Sequence, residues 1–157
     1  HQAAVSRLKV LLNHLKLGKL TYVGIALNRL FHDKPVQAEI TLDGQEIKKF
    51  PKVYFAAAMN QPYEGGGFCF CPDASGNDGL LDVIVISGLP RLAVLLLLPT
   101  AYKGWHVHFP GIHVFRCKKA VIKTERPLAV HTDGEPVFLR DQITAEVLEE
   151  QIRVITA

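Results

Sequence analysis

Between Val36 and Phe50 the chain keeps a period of two. Val36, Ala38, Ile40 and Leu42 alternate with polar neighbours, Asp43-Gly44 follows, and a second run, "QEIKKF", begins at once. Such alternation buries one face of a β-strand and leaves the other in water. Asp-Gly between two such runs signals a hairpin, because both central residues of a type I′ turn need positive φ. A two-stranded hairpin is marginal by itself, so further strands must complete a sheet around it.

The sequence supplies them. "KVYFAAAMN" (52–60) reads as a buried strand, and "GGGFCFCP" (65–72) as another, opened by glycines that permit close backbone approach. "GLLDVIVIS" (79–87) is a β-branched strand. Further strands are expected at 113–125, 128–132, 136–140 and 143–156. The one helical interruption is 90–104, with Pro90 suited to its first turn. Short strands with frequent turn residues predict a mainly β domain with flanking helices, an antiparallel β-sandwich or a barrel. Ahead of them, Val5, Leu8, Leu11, Leu12 and Leu15 stand at helical spacing, as do Leu20, Val23, Leu27 and Leu30. The organisation expected is therefore one domain over 1–157, helical over 1–33 and mostly strands over 34–157. Either amphipathic helix could pack on the sheet or lie on a membrane surface.

Composition narrows the function classes. With 48% hydrophobic and 21% charged residues, the chain should fold around a real core. A net charge of +3 is not the footprint of a nucleic-acid binder, so no nucleic-acid partner is expected. Its mildly basic balance suits visits to anionic lipid. The apolar run "LAVLLLL" (92–98) ends at Pro99, far short of the ~20 residues that span a bilayer. Cys69, Cys71 and Cys117 form no zinc spacing and are expected as reduced, partly buried thiols, which points to a cytoplasmic setting. The chain starts "HQAAVSR", inside a helical pattern and without an initiator Met, as a fragment of a longer protein would.

Three stretches could carry chemistry. "PDASGNDGLLD" (72–82) is rich in oxygen donors: Asp73, Ser75, Asn77, Asp78 and Asp82. It is not an EF-hand, since its glycine comes one place late and position twelve is Ile84. It reads either as a polar turn cornered at Asp78-Gly79 or as a loop that holds a hard cation with one carboxylate and backbone carbonyls. "HTDGEPV" (131–137) places Asp133-Gly134 in a turn like that at 43–44, but adds Glu135 between apolar runs. A carboxylate against apolar walls has raised proton affinity and suits a general base. "KGWHVHFPGIH" (103–113) carries His106, His108 and His113; on a strand the first two would share a face, but no acidic or thiol partner stands at ligand spacing.

Taken in order, "LGKLTYVGIALNRLF", "AMNQPYEGGGFCFCPDASGNDGLLDVIVI", "KGWHVHFPGIHVFRCKKAVIK" and "LAVHTDGEPV" resemble the C-terminal domain of the bacterial diacylglycerol kinase-like lipid kinases, a family related to the sphingosine and ceramide kinases. The resemblance runs over nearly the whole chain. It implies the C-terminal β-sandwich lobe of a two-lobed kinase with a fold like that of NAD kinase, acting on a lipid hydroxyl with ATP as co-substrate. Glu135 matches the family's proton acceptor, approached through Asp133 and Gly134. Asp78 matches the side-chain ligand of a structural Mg²⁺, with the backbone oxygens of Ser75 and Leu80 completing the protein's share. The family's ATP-binding lobe, with its Gly-Gly-Asp-Gly-Thr motif, is absent from this chain, so the chain alone is expected to be inactive.

The resemblance also implies a peripheral position at the membrane, where the lipid substrate lies. The N-terminal lobe would be the chain's chief partner, and a homodimer is a further one. A competing expectation is a non-catalytic β-sandwich that binds lipid or a protein partner. A third is a kinase of another hydroxyl, such as a sphingoid base or a glycolipid.

Overall fold

A computed structural model describes residues 32–64, 67–132 and 135–148, and the backbone alone at 135–138. The two amphipathic patterns expected at 4–16 and 19–32 lie outside the described residues, apart from His32. Among the described residues, eight strands and one short α-helix follow in order: β1 (Val36–Leu42), β2 (Glu46–Met59), β3 (Tyr63–Glu64), β4 (Phe68–Cys69), β5 (Leu81–Ser87), α1 (Arg91–Leu97), β6 (Ile112–Cys117), β7 (Lys119–Thr132) and β8 (Glu135–Glu146). Six of them form one antiparallel sheet in the order β6-β5-β2-β1-β7-β8, and β3 and β4 pair separately.

The hairpin expected at Asp43-Gly44 is present. Asp43 has φ +50 and Gly44 φ +71, the positive pair that a type I′ turn needs. Asp43 also does more than turn the chain. Its Oδ1 accepts the backbone N–H of Lys118 (2.8 Å) and of Lys119 (2.9 Å), which fixes the corner between β6 and β7.

The sheet curls on itself. β5 and β7 are three places apart in strand order, which in a flat sheet would hold them about 14 Å apart. They nevertheless touch. Ile40, Val83, Val85, Ala120 and Ile122 share one buried cluster between the two leaves. β2 is the strand that changes leaf: its first part pairs with β1, and its last part, from Val53, pairs with β5. Pro51, which lacks an N–H, and Lys52 at φ +53 mark the bulge between them.

β5 is buried on both faces, which explains why its sequence is a continuous apolar run rather than an alternation. Leu81, Val83 and Val85 point into the inter-leaf core. Ile84 joins Met59, Cys71, Ala74 and Ile112 in a second cluster on the outer face. That outer face is covered by α1 and by two 3-10 turns, Leu98–Lys103 and Trp105–His108.

Several strand expectations need correction. Residues 46–59 are one bent strand, not two, because the bulge at Pro51–Lys52 preserves pairing. The "GGGFCFCP" strand shrinks to Phe68–Cys69. The run at 113–125 breaks at Lys118, where β6 ends and β7 begins, and β7 continues to Thr132 through irregular pairing. β8 is continuous over Glu135–Glu146. The helix expected over 90–104 is α-helical only to Leu97 and then tightens to 3-10, where Pro99 removes a backbone donor.

Candidate functional site

The long β7–β8 hairpin carries Glu135 at its tip. Thr132 pairs with Glu135, His131 with Pro136 and Val130 with Val137. Asp133 and Gly134 are the two residues between the paired ends and lie outside the described residues. The backbone of Glu135 therefore opens β8 immediately after the turn; nothing is described of its side chain.

Sequence reasoning missed what holds this tip. The Nε2–H of His131 donates to Glu64 Oε1, a bond between groups 67 residues apart. Glu64 belongs to the small β3–β4 pair, whose register joins Tyr63 to Cys69 and Glu64 to Phe68 around the Gly-rich turn. Gly67 of that turn has φ +87, a conformation that favours glycine. Phe68 stacks on Tyr102 with centroids 4.4 Å apart and on Phe70 at 5.4 Å, so the turn is seated on the layer that covers the sheet. Through the His131–Glu64 bond β7 meets the β3–β4 pair two residues before Asp133. No spacing in the sequence singled out His131.

The second constellation surrounds Arg116. The "PDASGNDGLLD" loop folds as a polar turn, with Gly79 at φ +70 as its corner. Asp78 Oδ1 accepts the Leu80 N–H (3.0 Å), and the Asn77 N–H donates to Ser75 Oγ (3.4 Å). Arg116, on β6, is paired directly with Asp82 on β5. Its Nε–H donates to Asp82 Oδ1 (3.3 Å), and its Nη2 to Asp78 Oδ2 (2.9 Å) and to the Asp73 carbonyl (2.9 Å). Asp82 is 1% exposed. Burial pushes its carboxyl proton affinity up, Asp78 and Asp73 push the same way, and Arg116 opposes them.

Among the described residues, the Arg116 guanidinium meets the carboxylates of Asp78 and Asp82 and the Asp73 carbonyl, and Asp82 Oδ2 is buried without a hydrogen-bond partner. An orphaned anionic oxygen amid surplus negative charge fits a hard cation. Among the described residues no three His, Cys, Asp or Glu side chains converge as a metal cluster. A site at this loop would therefore rest on one or two carboxylates with backbone carbonyls. Asp82 appeared in the sequence only as one loop donor among five. Its pairing with Arg116 was legible only once the β5–β6 register was known.

The histidines do not share a strand face. His106 and His108 lie in the 3-10 turn Trp105–His108, where two steps put them on different sides: His106 is buried at 1% exposure and His108 is exposed. The Nε2–H of His106 donates to the Phe70 carbonyl (3.1 Å), Nδ1 has no partner, and burial holds its pKa below the ordinary histidine value. His113 packs instead between Phe50 and Phe115. The three thiols are free and buried, as expected, and burial pushes Cys71 up to about 12.

Residues 2–156 match the family model described as "YegS C-terminal NAD kinase beta sandwich-like domain". A diacylglycerol kinase of Mycobacterium tuberculosis is 32% identical over 119 residues, covering 75% of this chain and 38% of that protein. A "Probable lipid kinase YegS-like" of Stenotrophomonas maltophilia is 30% identical over 139 residues, covering 88% and 44%. A solved structure described as "A putative diacylglycerol kinase from Bacillus anthracis str. Sterne" superposes with a TM-score of 0.60 at 25% identity, covering 73% of this chain and 37% of that one. The chain thus spans about two fifths of the length of these relatives. With its curled antiparallel sheet and a family match over nearly its whole length, the chain belongs to the YegS C-terminal, NAD kinase β-sandwich-like domain family of lipid kinases.

Proposed function

We propose that this chain is the C-terminal lobe of a cytoplasmic, membrane-visiting lipid kinase that phosphorylates a hydroxyl of a diacylglycerol-type substrate. The nucleotide half of the site belongs to an ATP-binding lobe of the same protein. Glu135 is the general base. As the lipid hydroxyl oxygen bonds to the γ-phosphorus, the bond from that phosphorus to the bridging oxygen breaks, ADP leaves, and the hydroxyl proton passes to the Glu135 carboxylate. Phosphoryl transfer rests chiefly on positioning and charge stabilisation, and one aligned base adds about 10²- to 10⁴-fold.

The observation that carries this reading is the setting of Glu135. Its backbone opens β8 opposite Thr132, and β7, which it pairs with, is tied to β3 through His131 and Glu64. A base on a regular strand beside a pinned turn is held more precisely than one on a free loop. Asp78, with the backbone oxygens of Ser75 and Leu80, would hold a structural Mg²⁺, and the unpartnered Asp82 Oδ2 favours a cation nearby. Bound there, Mg²⁺ would offset the surplus carboxylate charge and stiffen the loop.

The test is Glu135→Gln in the protein that carries both lobes, assayed for ATP-dependent lipid phosphorylation. Turnover should fall at least about 100-fold with the melting temperature unchanged. Undiminished phosphorylation by that variant removes Glu135 from the chemistry. No ATP binding by the two-lobed protein would instead favour a β-sandwich that only binds lipid or a protein.

A further inference from the structure

The layer over the outer face of β5 has two sides of different character. Its inner side is apolar and buried: Val94, Leu97, Ala101 and His106 line a cavity of about 30 Å³ together with Phe70 and Ile112. Its outer side should be polar in a domain that meets only water. Instead Leu92 is 65% exposed, Leu96 68%, Trp105 57% and Phe109 43%. Leu92 and Leu96 are four residues apart and so share the outer face of α1.

The charge pattern of this region is one-sided. From Arg91 to Phe109 the layer carries no Asp or Glu, although Arg91 is engaged by the Asp33 carbonyl (3.0 Å). Within the layer itself the charges are Arg91 and Lys103, with His108 beside them. Lys103 Nζ lies 4.7 Å from the centroid of the Trp105 ring, an ammonium held over an indole. Trp with flanking cations and neighbouring leucines is the composition of surfaces that sit at the headgroup level of a bilayer. A protein partner could cover exposed leucines equally well, but a layer free of acid, with the Lys103 ammonium over the exposed Trp105 ring, favours an anionic lipid surface. No helix among the described residues is long and apolar enough to cross a membrane, so contact through this face would be interfacial.

We infer that α1 and the two 3-10 turns form the face by which this lobe docks on an anionic bilayer, with Leu92, Leu96, Trp105 and Phe109 entering the interface and Lys103 meeting lipid headgroups. This deepens the proposed function and rests on it for why the lobe should meet lipid at all. The binding itself needs neither ATP nor Glu135.

Trp105 is the sole tryptophan of the sequence, so its fluorescence reports this face alone. The chain is mixed with vesicles of phosphatidylcholine containing 30% (about one third) phosphatidylglycerol, free of diacylglycerol and nucleotide, a composition chosen to give strong negative surface potential. Trp105 emission should shift to the blue, brominated acyl chains should quench it, and pure phosphatidylcholine should do neither. Leu92→Ser with Leu96→Ser should weaken partition at least about tenfold, and Lys103→Glu about fivefold or more. Both variants alter exposed side chains, and circular dichroism confirms that they fold. An unchanged Trp105 spectrum with anionic vesicles overturns the inference. So does equal partition of the double leucine variant, or a blue shift that follows protein concentration without lipid, which would make a second copy the occupant. Intact phosphorylation of micellar substrate together with no vesicle binding would sink this face and leave the proposed kinase role standing; binding by a protein without kinase activity would do the reverse.

Discussion

Replacing Arg116 by Met would remove the guanidinium that binds the Asp78 and Asp82 carboxylates and the Asp73 carbonyl. Three bonds go: 3.3 Å to Asp82 Oδ1, 2.9 Å to Asp78 Oδ2 and 2.9 Å to the Asp73 carbonyl. The Asp78 bond joins half-exposed side chains and contributes at most ~1 kcal/mol. The Asp82 side chain is only 2% exposed, and removing the partner of such a group costs ~3–5 kcal/mol when both ions are fully buried. Arg116 is 47% exposed, so its contribution is smaller. The net expectation is a loss of about 2–3 kcal/mol at pH 8, or a melting temperature lower by ~4–12 °C for a chain of this size.

The loss should depend on pH with a definite sign. Burial raises the folded pKa of Asp82 above the ordinary carboxylate value, so its neutral form favours the fold and stability is lost as pH rises through the folded pKa. Removing Arg116 raises that pKa further. The deficit of Arg116→Met should therefore be large at pH 8 and shrink at pH 5, and adding Asp82→Asn should recover much of it. Thermal melts of the four proteins of this cycle at both pH values measure each term. A deficit equal at the two pH values, or no recovery by Asp82→Asn, refutes the claim that a buried carboxylate at this place depends on Arg116.

Three further outcomes are expected. Millimolar Mg²⁺ should raise the melting temperature of the chain, and Asp78→Ala should abolish that rise; an undiminished rise in the variant removes Asp78 from the cation site. Burial lowers the pKa of His106 and its Nδ1 has no partner, so stability should be complete above the ordinary histidine value and fall as pH drops below it, and His106→Gln should flatten that slope in thermal melts at pH 7 and pH 5. The three thiols should react with a disulfide reagent only on unfolding, Cys71 most slowly; fast labelling of Cys71 in the native chain would contradict its burial.

The strand content was legible because alternation and Asp-Gly chemistry are local. Asp43 and Gly44 adopt the positive φ pair that their types favour, and the β5 run is apolar because both of its faces are buried. What the sequence hid was non-local. Nothing near Lys52 announces that β2 bends rather than breaks, since that bend is set by two different partners, β1 and β5. His106 and His108 suggested a strand face because alternation was assumed, whereas Gly104 at φ +70 starts a 3-10 turn instead. The candidate site was legible in part. The resemblance supplied Glu135, Asp78, Ser75 and Leu80, but Arg116–Asp82 joins residues 34 apart through the β5–β6 register, and His131–Glu64 joins residues 67 apart across two separate sheets.

The most direct test of the central claim compares parent and Glu135→Gln forms of the two-lobed protein in one experiment. Radiolabelled ATP is supplied with diacylglycerol in mixed micelles, and the lipid fraction is counted. A Glu135 base predicts label in the lipid with the parent and at least about 100-fold less with the variant, at equal melting temperatures. Equal labelling by the two proteins would contradict it.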